Sequence, residues 1–242
     1  MKLKLISCLF SFLLLTVFCS INTSSSVGND ENILSYIIDL EKQHLQFFHK
    51  NQNGDPFINH GSLKKQLESN GQKLLFAMNG GMYNKDLSPQ GLYIEDGKKI
   101  APLDTLQKGY GNFYLQPNGV FYLTEDKKSQ ITTTDNFTSN NSITFATQSG
   151  PMLLIDGSIH PKFRAGSSNL HIRNGVGILP DGRLLFAMSK ERINFFDFAS
   201  FFKSQGCKNA LYLDGFVSRT YLPAENWNQL DGKYGIIIAE IE

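Results

Sequence analysis

The sequence predicts an α+β fold: one domain with a mixed, mostly antiparallel β-sheet core and two or three helices. Three observations carry this. Aromatic residues make up 12% of the chain, with 19 Phe and 9 Tyr, types that favour half-buried strands. Short apolar runs recur along the chain, each bounded by Gly, Pro, Asn or Asp. Helical periodicity is confined to a few stretches. At 242 residues with 41% hydrophobic and 19% charged side chains, the chain has an ordinary globular composition and needs no disulfide staples. Its net charge of +1 disfavours nucleic acid as a partner.

In chain order, Lys2 and Lys4 precede the apolar run Leu5–Phe18, and Cys19-Ser20 and a polar stretch follow. That is the pattern of an export signal over residues 1–20, with a polar linker over 21–32 and the domain over 33–242. The run is short for a spanning helix, and no later segment is long and apolar enough, so no membrane span is expected. A lipoprotein signal acylated at Cys19 is the alternative, although Phe18 is bulky for it. The expected location is periplasmic or secreted. Of three Cys, Cys8 and Cys19 lie in this signal, which leaves Cys207 as a buried thiol.

Residues 34–49 alternate loosely (Leu34, Tyr36, Ile38, Leu40, then Leu45, Phe47) and predict two strands around Glu41-Lys42-Gln43. A helix from Ile33 to His49 fits the same spacing. Residues 61–70 predict a short helix with Ser62 as N-cap and Gly71 ending it. Lys73–Met78 predicts a buried strand stopping at Asn79-Gly80-Gly81. Strands are then expected over 91–94, 112–115 and 120–123, the last two joined by a Gln116-Pro117-Asn118-Gly119 hairpin. The pattern recurs at Ile178–Ala187 around Pro180-Asp181-Gly182. Thr132–Ser142 reads as a surface loop. Phe195, Phe198, Ala199 and Phe202 share one face of a helix over 194–205, capped by Asn194 and ended by Gly206. Ala210–Leu213 and Tyr234–Ile241 predict the closing strands.

Four strands end in small residues carrying amide, hydroxyl, guanidinium or carboxylate groups: Asn79-Gly80-Gly81, Gln148-Ser149-Gly150, His171-Ile172-Arg173-Asn174 and Asp214-Gly215. Gly beside such a group admits a ligand to the backbone, so four such ends on one rim would form a polar pocket. Singly, each also reads as a turn, a bulge or a surface ion pair. His44, His49, His60, His160 and His171 lack the spacing of a metal pair on one helix, and no metal or cofactor is expected. Phosphate-loop, dinucleotide and Gly-x-Ser-x-Gly patterns are missing.

Taken in order, the words Phe76-Ala77-Met78-Asn79-Gly80-Gly81-Met82-Tyr83, Leu87-Ser88-Pro89-Gln90-Gly91-Leu92-Tyr93, Gly111-Asn112-Phe113-Tyr114, Ala146-Thr147-Gln148-Ser149-Gly150-Pro151-Met152-Leu153, Ile172-Arg173-Asn174-Gly175-Val176-Gly177 and Asn209-Ala210-Leu211-Tyr212-Leu213-Asp214-Gly215 resemble the phosphodiester glycosidase family over roughly residues 35–240. The likeness is to its exported bacterial branch. It departs at Phe216, where the family usually has a second Gly that allows close approach.

The resemblance implies hydrolysis of a sugar-1-phosphodiester, such as an N-acetylglucosamine one, to free sugar and a phosphomonoester. A phosphate leaving group relaxes the need for a strong acid, leaving one carboxylate and charge stabilisation as the requirements. Asp214 is the expected carboxylate and Arg173 the phosphate clamp. Asn79, Gly80, Gly81, Gln148, Ser149, Gly150, His171, Asn174 and Ser218 are the expected substrate-binding residues, with Glu95 and Asp86 as alternative carboxylates. The rival expectation is a non-catalytic carbohydrate-binding protein of the cell envelope, with Phe216 marking lost catalysis.

Overall fold

A computed structural model describes residues 30–213 and 217–242. The expected export signal and linker up to residue 29 lie outside these, as do Asp214, Gly215 and Phe216. The chain opens with β1 (Ile33–Ile38) and β2 (His44–Phe48), the two-strand alternative of the sequence. Helix α1 (His60–Ser69) and β3 (Leu74–Asn79) follow, then β4 (Tyr93–Glu95), β5 (Lys98–Ala101), β6 (Gly119–Thr124) and β7 (Ser129–Thr133). Next come β8 (Ile143–Ser149), β9 (Met152–Ile155), β10 (Ser158–Ile159), β11 (Asn174–Ile178) and β12 (Leu184–Ser189). Helix α2 (Phe195–Ser204), β13 (Ala210–Tyr212), β14 (Thr220–Leu222), β15 (Trp227–Asn228) and β16 (Ile237–Ile241) complete the chain.

Three sheets form, in the orders β1-β12-β11-β13-β9-β10, β15-β14-β3-β16-β2 and β5-β4-β8-β6-β7. Every described ladder is antiparallel. Their inner faces meet in one core containing Ile38, Phe47, Phe76, Met78, Phe121, Val176, Phe186 and Leu211. Each such side chain contributes about 1.5–3 kcal/mol on burial. Strand alternation sends the neighbouring apolar residues to the outer faces. There α2 covers Leu153, Leu185 and Ala187 with Phe198, Ala199 and Phe202. On the second sheet α1 covers Leu74, Ala77 and Ile237 with Leu63 and Leu67. Leu103 and Phe137 pack on the outer face of the third.

Both helices stop as expected, but α1 starts elsewhere. Asn59, not Ser62, is its N-cap, accepting from the Ser62 N–H at 2.9 Å, while Ser62 answers from the third helical position. Asn59 and Ser62 are both good capping residues three apart, and the chain uses them as a reciprocal pair. Gly71 (φ 76°) and Gly206 (φ 82°) adopt the left-handed conformation after α1 and α2. Each then closes a 5→2 and a 6→1 bond, Gly71 N to Glu68 O with Gln72 N to Leu67 O, and Gly206 N to Lys203 O with Cys207 N to Phe202 O.

The expected strand over 112–115 is instead a 3₁₀ turn, Asn112–Tyr114, so no hairpin forms at 116–119. Phe113 is buried, its carbonyl accepts from Asn118 Nδ2 at 3.0 Å, and the Tyr114 hydroxyl donates to Asp104 at 2.7 Å. These bonds tie the segment to its own neighbours and leave it no strand edge.

The ladder registers sort the connections by end. At one end lie tight turns: residues 39–43, Asp96-Gly97, 125–128, Asp156-Gly157 and 179–183. Asp96-Gly97 and Asp156-Gly157 have positive φ at both positions, the twist that suits two-residue hairpins. At the other end lie the longer connections 80–92, 102–118, 160–173 and 213–219.

Cys207 is 3% exposed, and burial pushes its thiol up to about 12. It should therefore resist Ellman's reagent in native protein at pH 8 and react fully in denaturant. A fast native reaction would contradict this packing. Among the described residues no helix is long and apolar enough to cross a membrane.

Candidate active site at the strand-end rim

Register places the polar strand ends together. Asn79 ends β3 opposite Ile237, and Thr220 opens β14 opposite Met78. Gly175 of β11 faces Tyr212 at the end of β13, and Leu211 faces Met152 at the start of β9. Ser149 ends β8, one Gly-Pro step before β9. All three sheets thus finish on one rim.

There, polar side chains stitch the sheets together on both sides of residues 214–216. On the near side the Leu213 carbonyl accepts from Ser149 Oγ at 3.0 Å and from the Gly81 N–H at 2.8 Å. The Leu213 N–H donates to Asn174 O at 3.2 Å. On the far side Asn79 Nδ2 donates to Val217 O at 2.5 Å, and Asn79 Oδ1 accepts from the Arg219 N–H at 2.7 Å. Asn174 Nδ2 donates to Asn79 O at 2.8 Å, and Ser218 Oγ donates to Ile172 O at 3.1 Å. Asn79, Ser149, Asn174 and Ser218 are all buried. Five sequence-expected residues, counting Gly81, therefore converge on the chain flanking Asp214.

Arg173 immediately precedes β11, with its backbone N–H on Ser189 Oγ at 2.9 Å. Its guanidinium is wholly buried and makes no ion pair with any described acid. Nε donates to Ile193 O at 2.8 Å, and Nη2 donates to Asn169 O and Oδ1 at 2.9 and 2.8 Å. Nη1 is buried and makes no hydrogen bond. The guanidinium carbon lies 3.5 Å from the ring centre of Phe195 and 5.6 Å from that of Tyr212. Burial lowers the basicity of Arg173, and the Tyr212 hydroxyl opposes that.

Other expected residues are spent inside the protein. Gln148 points to the face of β8 opposite Ser149. Its Oε1 accepts from Leu92 and Asp104 N–H at 3.0 and 2.9 Å, and its Nε2 donates to Asp104 O and Thr134 Oγ1 at 2.7 and 3.0 Å. All four of its hydrogen-bonding positions are filled. The N–H of Gly80 donates to Ile236 O at 3.0 Å, so with Gly81 on Leu213 neither glycine has a free amide for a ligand. Both are glycine for packing: a Cβ would strike Ile238 at Gly80 and Thr147 at Gly81. Gly150 lies buried against Asn118. His171 is exposed, its backbone bridged to Ile193. Glu95 is held by the Tyr93 hydroxyl at 2.6 Å and raised chiefly by burial, while Asp86 caps its own turn through Ser88. Phe195, Tyr212 and Asn169, which surround Arg173, have no spacing in the sequence that pairs them with it.

No described group of His, Cys, Asp and Glu forms a metal cluster. His60 and His160 are buried, and burial lowers each to about 4. Both stay neutral in the fold but take up protons near pH 6.5 once unfolded. Their stabilisation is complete above pH 6.5 and is lost as pH falls towards 4. The melting temperature should drop through that window, and less steeply in His160→Gln. Identical slopes would remove His160 from the account. A hollow of about 300 Å³, lined by Asp39, Lys128, Asp181 and Arg183 among others, lies at the opposite end of the strands.

The profile of the phosphodiester glycosidases matches residues 72–235. The Escherichia coli (strain K12) protein YigE is 37% identical over 191 residues, spanning 78% of this chain and 74% of YigE. Among solved structures, the zebrafish N-acetylglucosamine-1-phosphodiester alpha-N-acetylglucosaminidase catalytic domain, auto-inhibited by its pro-peptide, superposes with a TM-score of 0.53 at 15% identity. That match covers 86% of this chain and 87% of the domain. A Burkholderia pseudomallei protein superposes with a TM-score of 0.56 at 9% identity, covering 86% and 73%. At these identities the two structures share the fold.

Proposed function

Because the chain belongs to the phosphodiester glycosidase family, we propose that it hydrolyses a sugar-1-phosphodiester, of the N-acetylglucosamine-1-phosphodiester kind, to free sugar and a phosphomonoester. The observation that carries this is the charge of Arg173, buried at the rim with no acid to balance it among the described residues. An uncompensated buried cation is costly unless an anion completes it, and a phosphodiester is such an anion. Arg173 then clamps the phosphate through Nη1, the nitrogen left without a bond.

Asp214 follows Leu213, whose carbonyl is held from two sheets. It serves as base or nucleophile at the anomeric carbon. The bond between that carbon and the phosphate oxygen breaks, the electron pair leaves with the phosphate, and water supplies the new sugar hydroxyl. Asn79, Gly81, Ser149, Asn174 and Ser218 hold the chain before and after Asp214, Gly80, Gln148 and Gly150 build the framework behind these contacts, and His171 is exposed for a ligand to reach. The basic head and apolar run of residues 1–20 direct the protein out of the cytoplasm, where its substrate is an envelope or extracellular sugar phosphodiester.

Purified protein incubated with methyl N-acetylglucosamine-1-phosphodiester in ¹⁸O-water tests this. Label in the sugar and none in the phosphomonoester is expected. Label in the phosphate would move the cleavage to the phosphorus–oxygen bond and overturn the reading. Phe216, in place of a family Gly, favours a second reading as a carbohydrate-binding protein. Saturable binding of the diester without turnover would establish that instead.

A further inference from the structure

Beneath Arg173 lies a column of rings. The guanidinium carbon is 3.5 Å from the Phe195 ring centre. Phe195 stacks on Phe163 at 4.8 Å with planes 6° apart, and Phe163 stacks on His160 at 4.6 Å and 22°. Tyr212 braces Phe195 edge-on at 4.9 Å and 84°. Phe163 and His160 are buried and Phe195 nearly so. The column brings together the connection before β11 and the first residue of α2, two regions far apart in sequence.

Carbonyl oxygens hold two of the three guanidinium nitrogens in the plane, at Ile193 and Asn169. They do not fix its tilt about that edge. A flat ring face does, because a planar cation over an aromatic face has its lowest energy parallel to it. We infer that Phe195, backed by Phe163 and His160, is a positioning residue that sets the plane of the Arg173 guanidinium and so aims Nη1 at a substrate phosphate. This rests on Arg173 being the phosphate contact.

The test titrates inorganic phosphate into the ¹⁵N-labelled full chain and follows the Arg173 Nε–Hε signal by NMR. In the parent that signal should be sharp, shifted upfield by the ring, and moved saturably by phosphate. Phe195→Leu removes the face and should broaden the signal and weaken phosphate binding about tenfold or more. Phe195→Tyr keeps the face and should restore both to within about threefold. Should Phe195→Leu fail to fold, Phe163→Leu, one layer down, should give the same broadening with a smaller loss. Parental phosphate affinity and a sharp signal in a folded leucine variant, with binding abolished in Arg173→Met, would overturn the positioning role alone. No phosphate response in the parent, or an unchanged response in Arg173→Met, would instead overturn the clamp and the positioning role with it.

Discussion

Arg173→Met should lose hydrolysis by about a hundredfold or more and yet melt at the parental temperature or above it. The two effects have one cause. A charge in the interior costs several kcal/mol unless an opposite charge balances it, and no described acid balances this one. What offsets the cost is three carbonyl contacts and the Phe195 face. Burial already lowers the basicity of the guanidinium, so the fold disfavours the charge it carries. Methionine fills similar volume without that cost and packs well against rings. The isosteric Asp214→Asn should lose turnover to a similar degree, since an amide neither takes the proton nor attacks the anomeric carbon. Initial-rate assays beside thermal melts decide the matter. A methionine variant that melts well below the parent while keeping its rate would make Arg173 a structural residue.

Asn79→Ala should be the opposite kind of variant. Its buried side chain bonds to Val217 O at 2.5 Å, to the Arg219 N–H at 2.7 Å and to Asn174 Nδ2 at 3.2 Å. Truncation removes the Asn79 bonds to Val217 O and to the Arg219 N–H, at about 1–3 kcal/mol each. A loss of ~3 kcal/mol or more lowers the melting temperature of a domain this size by ~6–12 °C. Turnover should also fall at 20 °C, where the variant is still folded, because the chain beyond Asp214 has lost its tie to β3. Circular dichroism melts and rates on the same preparation separate the two effects. A parental melting temperature would mean that these bonds are replaced by water at no cost.

Much of this was legible in the sequence. Asn194 as a cap, the glycines after both helices and the Pro180-Asp181-Gly182 turn follow from local backbone chemistry, and local chemistry decides them. The segment 112–115 does not, since Asn-Phe-Tyr-Leu suits a strand equally well until Asp104 and Asn118 claim it. Asp96-Gly97 and Asp156-Gly157 are hairpin turns, set by the ladders that flank them. At the rim, the polar strand ends are visible as words, but which of two neighbours faces inward is a matter of register. Ser149 reaches Leu213 while Gln148, one residue earlier, points the other way. A slip of one position would exchange them. The surroundings of Arg173 were illegible because residues 163, 169, 195 and 212 meet only through tertiary packing.

The sorting of connections, long ones at the rim and tight turns opposite, gives the molecule a head that can diversify and a tail that can be handled. Changes to the loops at 80–92, 102–118 and 160–173 alter the rim while the ladders keep their alignment. Peptide tags or surface tethers spliced at Gly97 or Gly182 would sit a full strand length from the rim and the site proposed there, which makes these turns natural points for immobilising the protein with the rim outward.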